Sequence, residues 1–508
     1  MLSKVRSYLI KGIEAVPVTI ETYIGTGMPS FSMTGLADAT VREAALRVRS
    51  AIVNTGLTFP LGRIIVNISP ADMRKRGSGL DLAIAVGILG ASGQIAQEST
   101  DGFALIGELS LDGNVNGTKG VLNIAEEAAA SGTKLLLPEG NKEEAALAED
   151  AEVYPVPDLS DTVRFLRGET DLARYRRRCG LPQGEPPAYP DFSDVKGQEA
   201  AKRALTIAAA GGHGVLMTGS PGTGKTMLAE RMPGIMPLLT RKEMIKTTEV
   251  YSVAGLLDGE TPFVRERPFR MPHHSVTRAG LIGGGFVPAP GEISLAHNGV
   301  LFLDELPEFD RNVIDLLREP MEKGWIGIIR GNETYRFPSD FILIAASNPC
   351  KCGYFGDPSR ECTCTASEIA RYRSRISGPI LDRIDIHIQL RRVDYNDLAG
   401  EASTGTEEMR LLVERARTIQ ASRYEDLGPY LNGTLPDRYV KERIAVDAEG
   451  SRLLRSAYDK MHMSPRNVVK TIRIARTIGD LDGSDAVGVR EIGEALQYSR
   501  FREEGGPA

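Results

Sequence analysis

The run Gly219-Ser220-Pro221-Gly222-Thr223-Gly224-Lys225-Thr226 has the residue types and spacing of a phosphate-binding loop, G-x-x-x-x-G-K-[ST]. Its glycines let backbone N–H groups turn inward around phosphate oxygens, and a helix beginning at its end would add positive potential. Lys225 suits the β- and γ-phosphates, and the Thr226 hydroxyl suits Mg²⁺. ATP and Mg²⁺ are therefore the expected ligands. Further along, the apolar run Gly299-Val300-Leu301-Phe302-Leu303 ends in Asp304-Glu305, the Walker B pattern. Asp304 fits beside Mg²⁺, and Glu305 can orient or deprotonate an attacking water. Alone, such an acidic pair often just opens a solvated helix; beside a complete phosphate loop it has a chemical purpose.

Two other clusters could carry chemistry. Cys350, Cys352, Cys362 and Cys364 form a C-x-C-x₉-C-x-C arrangement, and four thiolates so placed can close one tetrahedral Zn²⁺ site; the alternative is a loop of reduced surface cysteines. His273 and His274 are adjacent, so they point in different directions, and no nearby carboxylate stands at ligand spacing. A structured loop is the expectation there.

These residues need a scaffold of several cores. The chain has 508 residues, 42% hydrophobic and 25% charged, as in soluble globular proteins, so about two to four domains are expected. A net charge of −6 excludes a global basic bias, so any nucleic-acid contact must be local. No segment has the apolar length of a signal peptide or membrane span. Five cysteines in a chain of this length exclude a disulfide framework and point to a reducing compartment, the cytoplasm by default.

Periodicity and punctuation divide the chain into four parts. Residues 1–167 form an α/β domain, with strands over Val16–Tyr23, Arg63–Ile68, Phe103–Ile106 and Lys134–Pro138 and helices over Val41–Asn54 and Leu80–Gly90. Residues 168–190 form a linker with a basic cluster, Arg174–Arg178, expected to be a solvated face. Residues 191–394 form an α/β core around the phosphate loop. There the helix Ala200–Ala209 precedes the loop strand Val215–Met217, and Phe341–Ser347 is another buried strand. Lys323–Phe337 alternates β-formers around Arg330-Gly331-Asn332, a β-hairpin. Residues 395–508 are helical, over Glu407–Arg423, Asp447–Met461, Arg466–Gly479 and Val489–Tyr498.

The order of loop, acidic strand and helical tail resembles the AAA+ ATPases. With the insertion carrying Arg267–Ser275, Gly283-Gly284-Gly285 and Pro290–His297, it is similar to their magnesium-chelatase-like branch. The N-terminal part resembles a Lon-protease-like domain through Ile106–Gly113 and the Gly-Ser-Gly run before Asp81. Together these features match the YifB/ComM family. The resemblance implies a Lon-like α/β domain, a P-loop AAA+ core and a helical lid. It places Gly197-Gln198 beside the adenine and Asn348 as the sensor of the γ-phosphate on the core. Arg383 becomes the finger reaching a neighbouring subunit, with Arg375 in reserve, and Arg466 the lid's sensor. It also implies a homo-oligomer, a hexamer, whose hairpin faces DNA through Lys323, Arg330 and Arg336, with Trp325 packed beneath or stacking. A plain structural hairpin is the alternative. Aligned on the Lon-like segments, Gly79 and Leu122 occupy the serine and lysine positions, with Ser78 and Lys119 off register, so a domain without protease activity is expected. The functions implied are a DNA helicase or branch-migration factor in recombination during transformation, a protein-remodelling or metal-chelatase-type motor, or a Lon-like peptidase.

Overall fold

Along residues 2–8 burial alternates, with Ser3, Val5 and Ser7 facing inward and Leu2, Lys4 and Arg6 outward, the period of a strand. The computed structural model describes residues 2–35, 39–70, 79–176, 189–257, 261–331, 333–393 and 404–499. In it these residues form β1 (Leu2–Lys11), a strand the sequence reading did not anticipate. A tight turn at Gly12, φ 68°, pairs β1 antiparallel with β2 (Glu14–Gly25) in register from Leu2 with Tyr23 to Lys11 with Glu14. With β3 (Ser30–Thr34), β4 (Arg63–Ser69), β5 (Phe103–Leu105), β6 (Lys134–Pro138) and β7 (Glu152–Val156) they make a sheet of order β3-β4-β2-β1-β5-β6-β7. The helix Asp81–Ala91 is apolar on all sides and buried almost throughout, as expected of a core helix. Its glycines permit the close approach: a Cβ on Gly87 would lie 2.7 Å from Thr22 Oγ1, and one on Gly90 2.6 Å from Ser3 Oγ.

The expected linker begins as part of this domain. Arg174 donates to Ala151 O, and the Tyr175 N–H donates to Val153 O at 2.8 Å, so the chain lies along the edge of β7 before leaving. Arg177 and Arg178 lie outside the described residues.

The second sheet is wholly parallel. It comprises β8 (Val215–Gly219), β9 (Phe269–Arg270), β10 (Gly299–Leu303), β13 (Phe341–Ser347) and β14 (Ile386–Leu390), in the order β9-β10-β13-β8-β14. The hairpin strands β11 (Trp325–Arg330) and β12 (Glu333–Pro338) stand outside it. Strands buried on both faces suit a parallel sheet, and their alternation sends side chains into two different cores. Val215, Met217, Val300, Phe302, Ile344 and Ala346 join a core completed by the lid helices Thr406–Arg423, Pro465–Asp482 and Val489–Tyr498. Leu216, Leu301, Leu303, Leu343 and Ala345 join one completed by Ile326, Ile328, Tyr335 and Phe337 of the hairpin. Lid and hairpin thus cover opposite faces of one sheet. Among the described residues no helix is long and apolar enough to cross a membrane.

A polar clamp fixes the lid at the start of β14. The buried His213 places Nδ1 2.9 Å from Asp385 Oδ2 and Nε2 2.9 Å from Thr477 Oγ1 of the lid. Lys470 of the same lid helix donates to Asp382 O and Ile384 O at 3.1 and 2.7 Å and lies 3.7 Å from Asp385. Burial opposes ionisation of Asp385, but the His213 hydrogen bond and the Lys470 charge outweigh it and hold its pKa below the ordinary carboxylate range. That contribution to stability is present above the ordinary value and is lost as pH falls through the lowered one. Asp385→Ala leaves two partners without their shared carboxylate and is expected to cost about 3 kcal/mol, seen as a lower urea midpoint of the helical circular-dichroism signal. An unchanged midpoint would show that the apolar core alone holds the lid.

Candidate nucleotide site

The phosphate loop leaves the end of β8 and turns back at Gly222 and Gly224, whose φ angles of 79° and 87° lie in the left-handed region that glycine adopts without penalty. A Cβ at either would meet nothing within 4 Å, so glycine serves the backbone conformation there, not close packing. The loop is tied from within by Thr223 Oγ1, which donates to Ser220 O at 2.9 Å. Gln198 ties it from outside, its Nε2 donating to Thr223 O at 3.3 Å and to Arg391 O, beyond β14, at 2.8 Å. Gln198 thus braces the loop against the neighbouring strand end.

Three strand ends meet at Lys225. Its ammonium donates to Gly219 O at 2.7 Å, Ser220 O at 3.0 Å and Asn348 Oδ1, just past β13, at 3.2 Å. Burial lowers its pKa, with the charges of Asp304 and Glu305 pulling the other way. Thr226 Oγ1 donates to Asp304 Oδ2, just past β10, at 3.0 Å. These two hard oxygens, side by side at the loop, are the donor types that Mg²⁺ takes. Glu305 follows with φ 51°, a left-handed conformation that costs a non-glycine residue about 1–2 kcal/mol and carries its side chain out to an exposed position. Lys225, Thr226, Asp304, Glu305 and Asn348, widely separated in sequence, therefore stand at one edge of the sheet. The arrangement has what phosphoryl transfer needs: a cation and loop for phosphates, a hydroxyl–carboxylate pair for a metal, and a carboxylate and an amide for water.

The predicted arginines stand elsewhere. β14 runs parallel to β8, with Ile386 opposite Val215 and Leu390 opposite Gly219, so Arg383 precedes the end of β14 that lies away from the loop. Arg383 Nη2 is 2.7 Å from Glu322 Oε1, and Arg466 Nη2 donates to that same oxygen at 3.1 Å. Arg466, expected to sense the γ-phosphate from the lid, is thus beside Arg383, because Lys470, one helical turn on, is clamped to Asp382, Ile384 and Asp385. Glu322, which holds both arginines, gave no signal in the sequence, being one charge among several in Arg318–Lys323. Arg375 differs: it pairs with Glu308 at 2.8 Å, on the segment that follows Glu305.

On the hairpin, Lys323 and Arg336 lie over the Trp325 ring, 5.1 and 4.8 Å from its centroid, and Lys323 also pairs with Glu319 at 2.7 Å. Arg330 is exposed at the tip, apart from that stack; Asn332 lies outside the described residues. The tip has a neighbour that sequence reasoning assigned no role. A Cβ on Gly284 would lie 3.9 Å from Arg330 Nη2, and the same insertion loop carries Phe286, 76% exposed. The His273 and His274 rings lie 4.0 Å apart, tilted by 36°, so these neighbours come together instead of pointing apart as expected, and His273 Nδ1 lies 2.8 Å from Ser275 Oγ. Among the described residues the metal-ligand geometry gathers only the four cysteines, whose sulfurs all lie within 4.8 Å of one another.

In the N-terminal domain Leu122 is fully buried, and Gly79 packs on Thr118. Lys119 Nζ donates to Ala254 O, 3.5 Å away, and lies against Gly255, so this lysine is engaged with the phosphate-loop domain. Ser78 lies outside the described residues.

Three family models match the chain: subunit ChlI of Mg-chelatase over residues 20–141, magnesium chelatase subunit ChlI over 191–398, and its C-terminal part over 403–499. YifB of Escherichia coli (strain K12) is 38% identical over 503 residues, covering 98% of this chain and 97% of that protein. The competence protein ComM of Haemophilus influenzae is 40% identical over 504 residues, with 98% and 97% covered. The magnesium-chelatase 67 kDa subunit of Heliobacterium mobile is 30% identical over 262 residues, 44% of this chain and 37% of that one. The chain belongs to the YifB/ComM family of magnesium-chelatase-like AAA+ ATPases.

Proposed function

From that membership and the two-ended geometry of the core, we propose that the chain is an ATP-driven motor that acts on DNA as a ring-forming homo-oligomer, a hexamer, in recombination during natural transformation. One observation carries the motor reading. The loop, Thr226, Asp304, Glu305 and Asn348 gather at one edge of a parallel sheet, while Arg383 and Arg466 share Glu322 at the other. A site needing both sets is completed by apposing the far edge of one subunit to the near edge of the next.

In this reading Lys225 and the loop N–H groups hold the β- and γ-phosphates of ATP. Thr226 and Asp304 hold Mg²⁺, which supplies charge neutralisation at the phosphate oxygens. Glu305 accepts a proton from water that Asn348 helps to hold. Arg383 and Arg466 both serve the neighbouring subunit's γ-phosphate, so the lid's sensing arginine works in trans with the finger. Before assembly Glu322 keeps the two cations paired.

For DNA, the support is Arg330, exposed at the hairpin tip beside the loop at Gly284, a cation placed as a phosphate ligand. Lys323, at the end of the helix that leads into the hairpin, and Arg336 of β12 hold two further cations over the Trp325 ring. The competence role borne in the name of the Haemophilus relative fits transforming DNA as the substrate.

Lys225→Ala is expected to lower ATP turnover by roughly 10²-fold or more, as loss of a transition-state donor does. Glu305→Gln should lower it by about 10²–10⁴-fold while fluorescent ATP still binds. Arg383→Ala should lower it by on the order of 10³-fold. Mixing the inactive Lys225→Ala and Arg383→Ala proteins should restore turnover, because mixed interfaces join an intact loop to an intact arginine, and Arg466→Ala should complement Lys225→Ala likewise. No recovery would mean that each subunit uses its own arginines.

Single-stranded, duplex or four-way DNA is expected to stimulate turnover, and Arg330→Ala to weaken that stimulation. Branch migration of a synthetic four-way junction should require Lys225 and Glu305. If none of these DNAs stimulates turnover, the DNA reading fails and a protein-remodelling or chelatase-type motor takes its place.

A further inference from the structure

The chain between Cys350 and Cys364 contains neither helix nor strand, and most of it is exposed; among its side chains only Cys350 is buried. A stretch of that length without an apolar core of its own gains order from a cross-link. The thiols stand where a cross-link would be. Cys350 Sγ is 3.3 Å from Cys352 Sγ and 3.7 Å from Cys362 Sγ, and Cys352 Sγ is 3.5 Å from Cys362 Sγ, with Cys364 completing a group that lies within 4.8 Å. A disulfide would need about 2.0 Å. Four sulfurs around Zn²⁺ at about 2.3 Å stand about 3.8 Å apart along the edges of a tetrahedron. The spacing is that of thiolates around a shared cation.

The same loop leans on the phosphate loop at three places. Cys350 follows Asn348 by one proline, and Asn348 accepts the hydrogen bond from Lys225. Gly353, φ 87°, lies so close to Pro221 that a Cβ would be 2.7 Å from its Cδ. Asp357 lies beside Ser220, whose hydroxyl is the largest influence holding its carboxyl below the ordinary carboxylate range. The loop is then fixed at its exit, where Thr365 and Glu368 form a capping box on the helix Ala366–Arg373 and Arg373 donates to Pro349 O at 3.2 Å.

We propose that Cys350, Cys352, Cys362 and Cys364 bind one Zn²⁺, and that this zinc-thiolate loop is a wall of the nucleotide site whose occupancy sets nucleotide affinity. Zinc fixes Gly353 and Asp357 against Pro221 and Ser220 and holds Asn348 toward Lys225. Without zinc, nucleotide binding must also order the wall, so affinity falls. Linkage makes the effect mutual: bound nucleotide strengthens zinc retention by the same factor. The coupling rests on the phosphate loop holding ATP; the metal site does not.

The test uses the full-length protein. Elemental analysis after purification with zinc should give one Zn²⁺ per chain, and Cys362→Ser should lose it. Cobalt replacement should give the intense absorption of tetrahedral Co²⁺–thiolate. Substoichiometric zinc, below about a tenth per chain, or cobalt bands lacking thiolate charge transfer, would overturn the site whatever nucleotide does. For the coupling, protein stripped with EDTA and returned to Mg²⁺ buffer should bind a fluorescent ATP analogue roughly 5-fold or more weakly than zinc-loaded protein. ATP should hinder zinc transfer to a chromophoric chelator by a matching factor. Equal nucleotide affinity with and without zinc would overturn the coupling. Should Cys362→Ser fail to fold, Asp357→Ala serves: it should keep its zinc and lose most of the zinc dependence of nucleotide affinity, and full retention of that dependence would overturn the proposed contact route. Failure of zinc-loaded protein to bind the analogue at all would overturn the coupling together with the nucleotide reading, while the metal count is judged separately.

Discussion

A parallel sheet has two unlike edges, and the functional layout of this chain depends on that asymmetry. All strands of the second sheet point the same way, so the residues that follow β8, β10 and β13 come together at one edge. That convergence lets Lys225 bond two carbonyls of its own loop and the amide of Asn348, while Thr226 meets Asp304. The same rule sends whatever precedes β14 to the opposite edge, and Arg383 precedes β14. No rotamer of Arg383 changes which edge it stands on. The geometry that gathers these side chains at one edge thereby keeps Arg383 at the other.

The two faces of the sheet divide labour as its two edges do. One face shares its apolar core with the lid and the other with the hairpin, and alternate residues of the same strands serve both. The N-terminal domain adds a third contact: the turn at Gly12 sits where a Cβ would be 2.8 Å from Arg336 O, so the first sheet backs the hairpin.

What the sequence made legible follows from how local each signal is. The phosphate loop carries its chemistry within one short run, the Walker B strand states its burial and acid in consecutive residues, and the lid helices have a clear period. Their expected positions agree with the structure to within a few residues. β1 was missed because its apolar set is interrupted by lysine and arginine, and only pairing with β2 shows that those charges face outward. The place of Arg466 was missed for a different reason. The motif tells which residue is special but not which edge the lid rests on, and that is decided by Lys470, Asp385 and His213, which no spacing links. The cysteines announced themselves by clustering, yet the approach of Gly353 and Asp357 in the same loop to Pro221 and Ser220 is a property of the folded loop alone.

The stack on the hairpin has an optical consequence. Trp325 is the chain's one tryptophan, half-buried, with an ammonium and a guanidinium over its ring. Emission excited at the red edge of the spectrum therefore comes from a single indole per subunit, in a field set by two cations. Whatever draws Lys323 or Arg336 away changes the colour and yield of that emission without any added dye. The molecule carries its own lamp at the hairpin, one for each copy in an assembly.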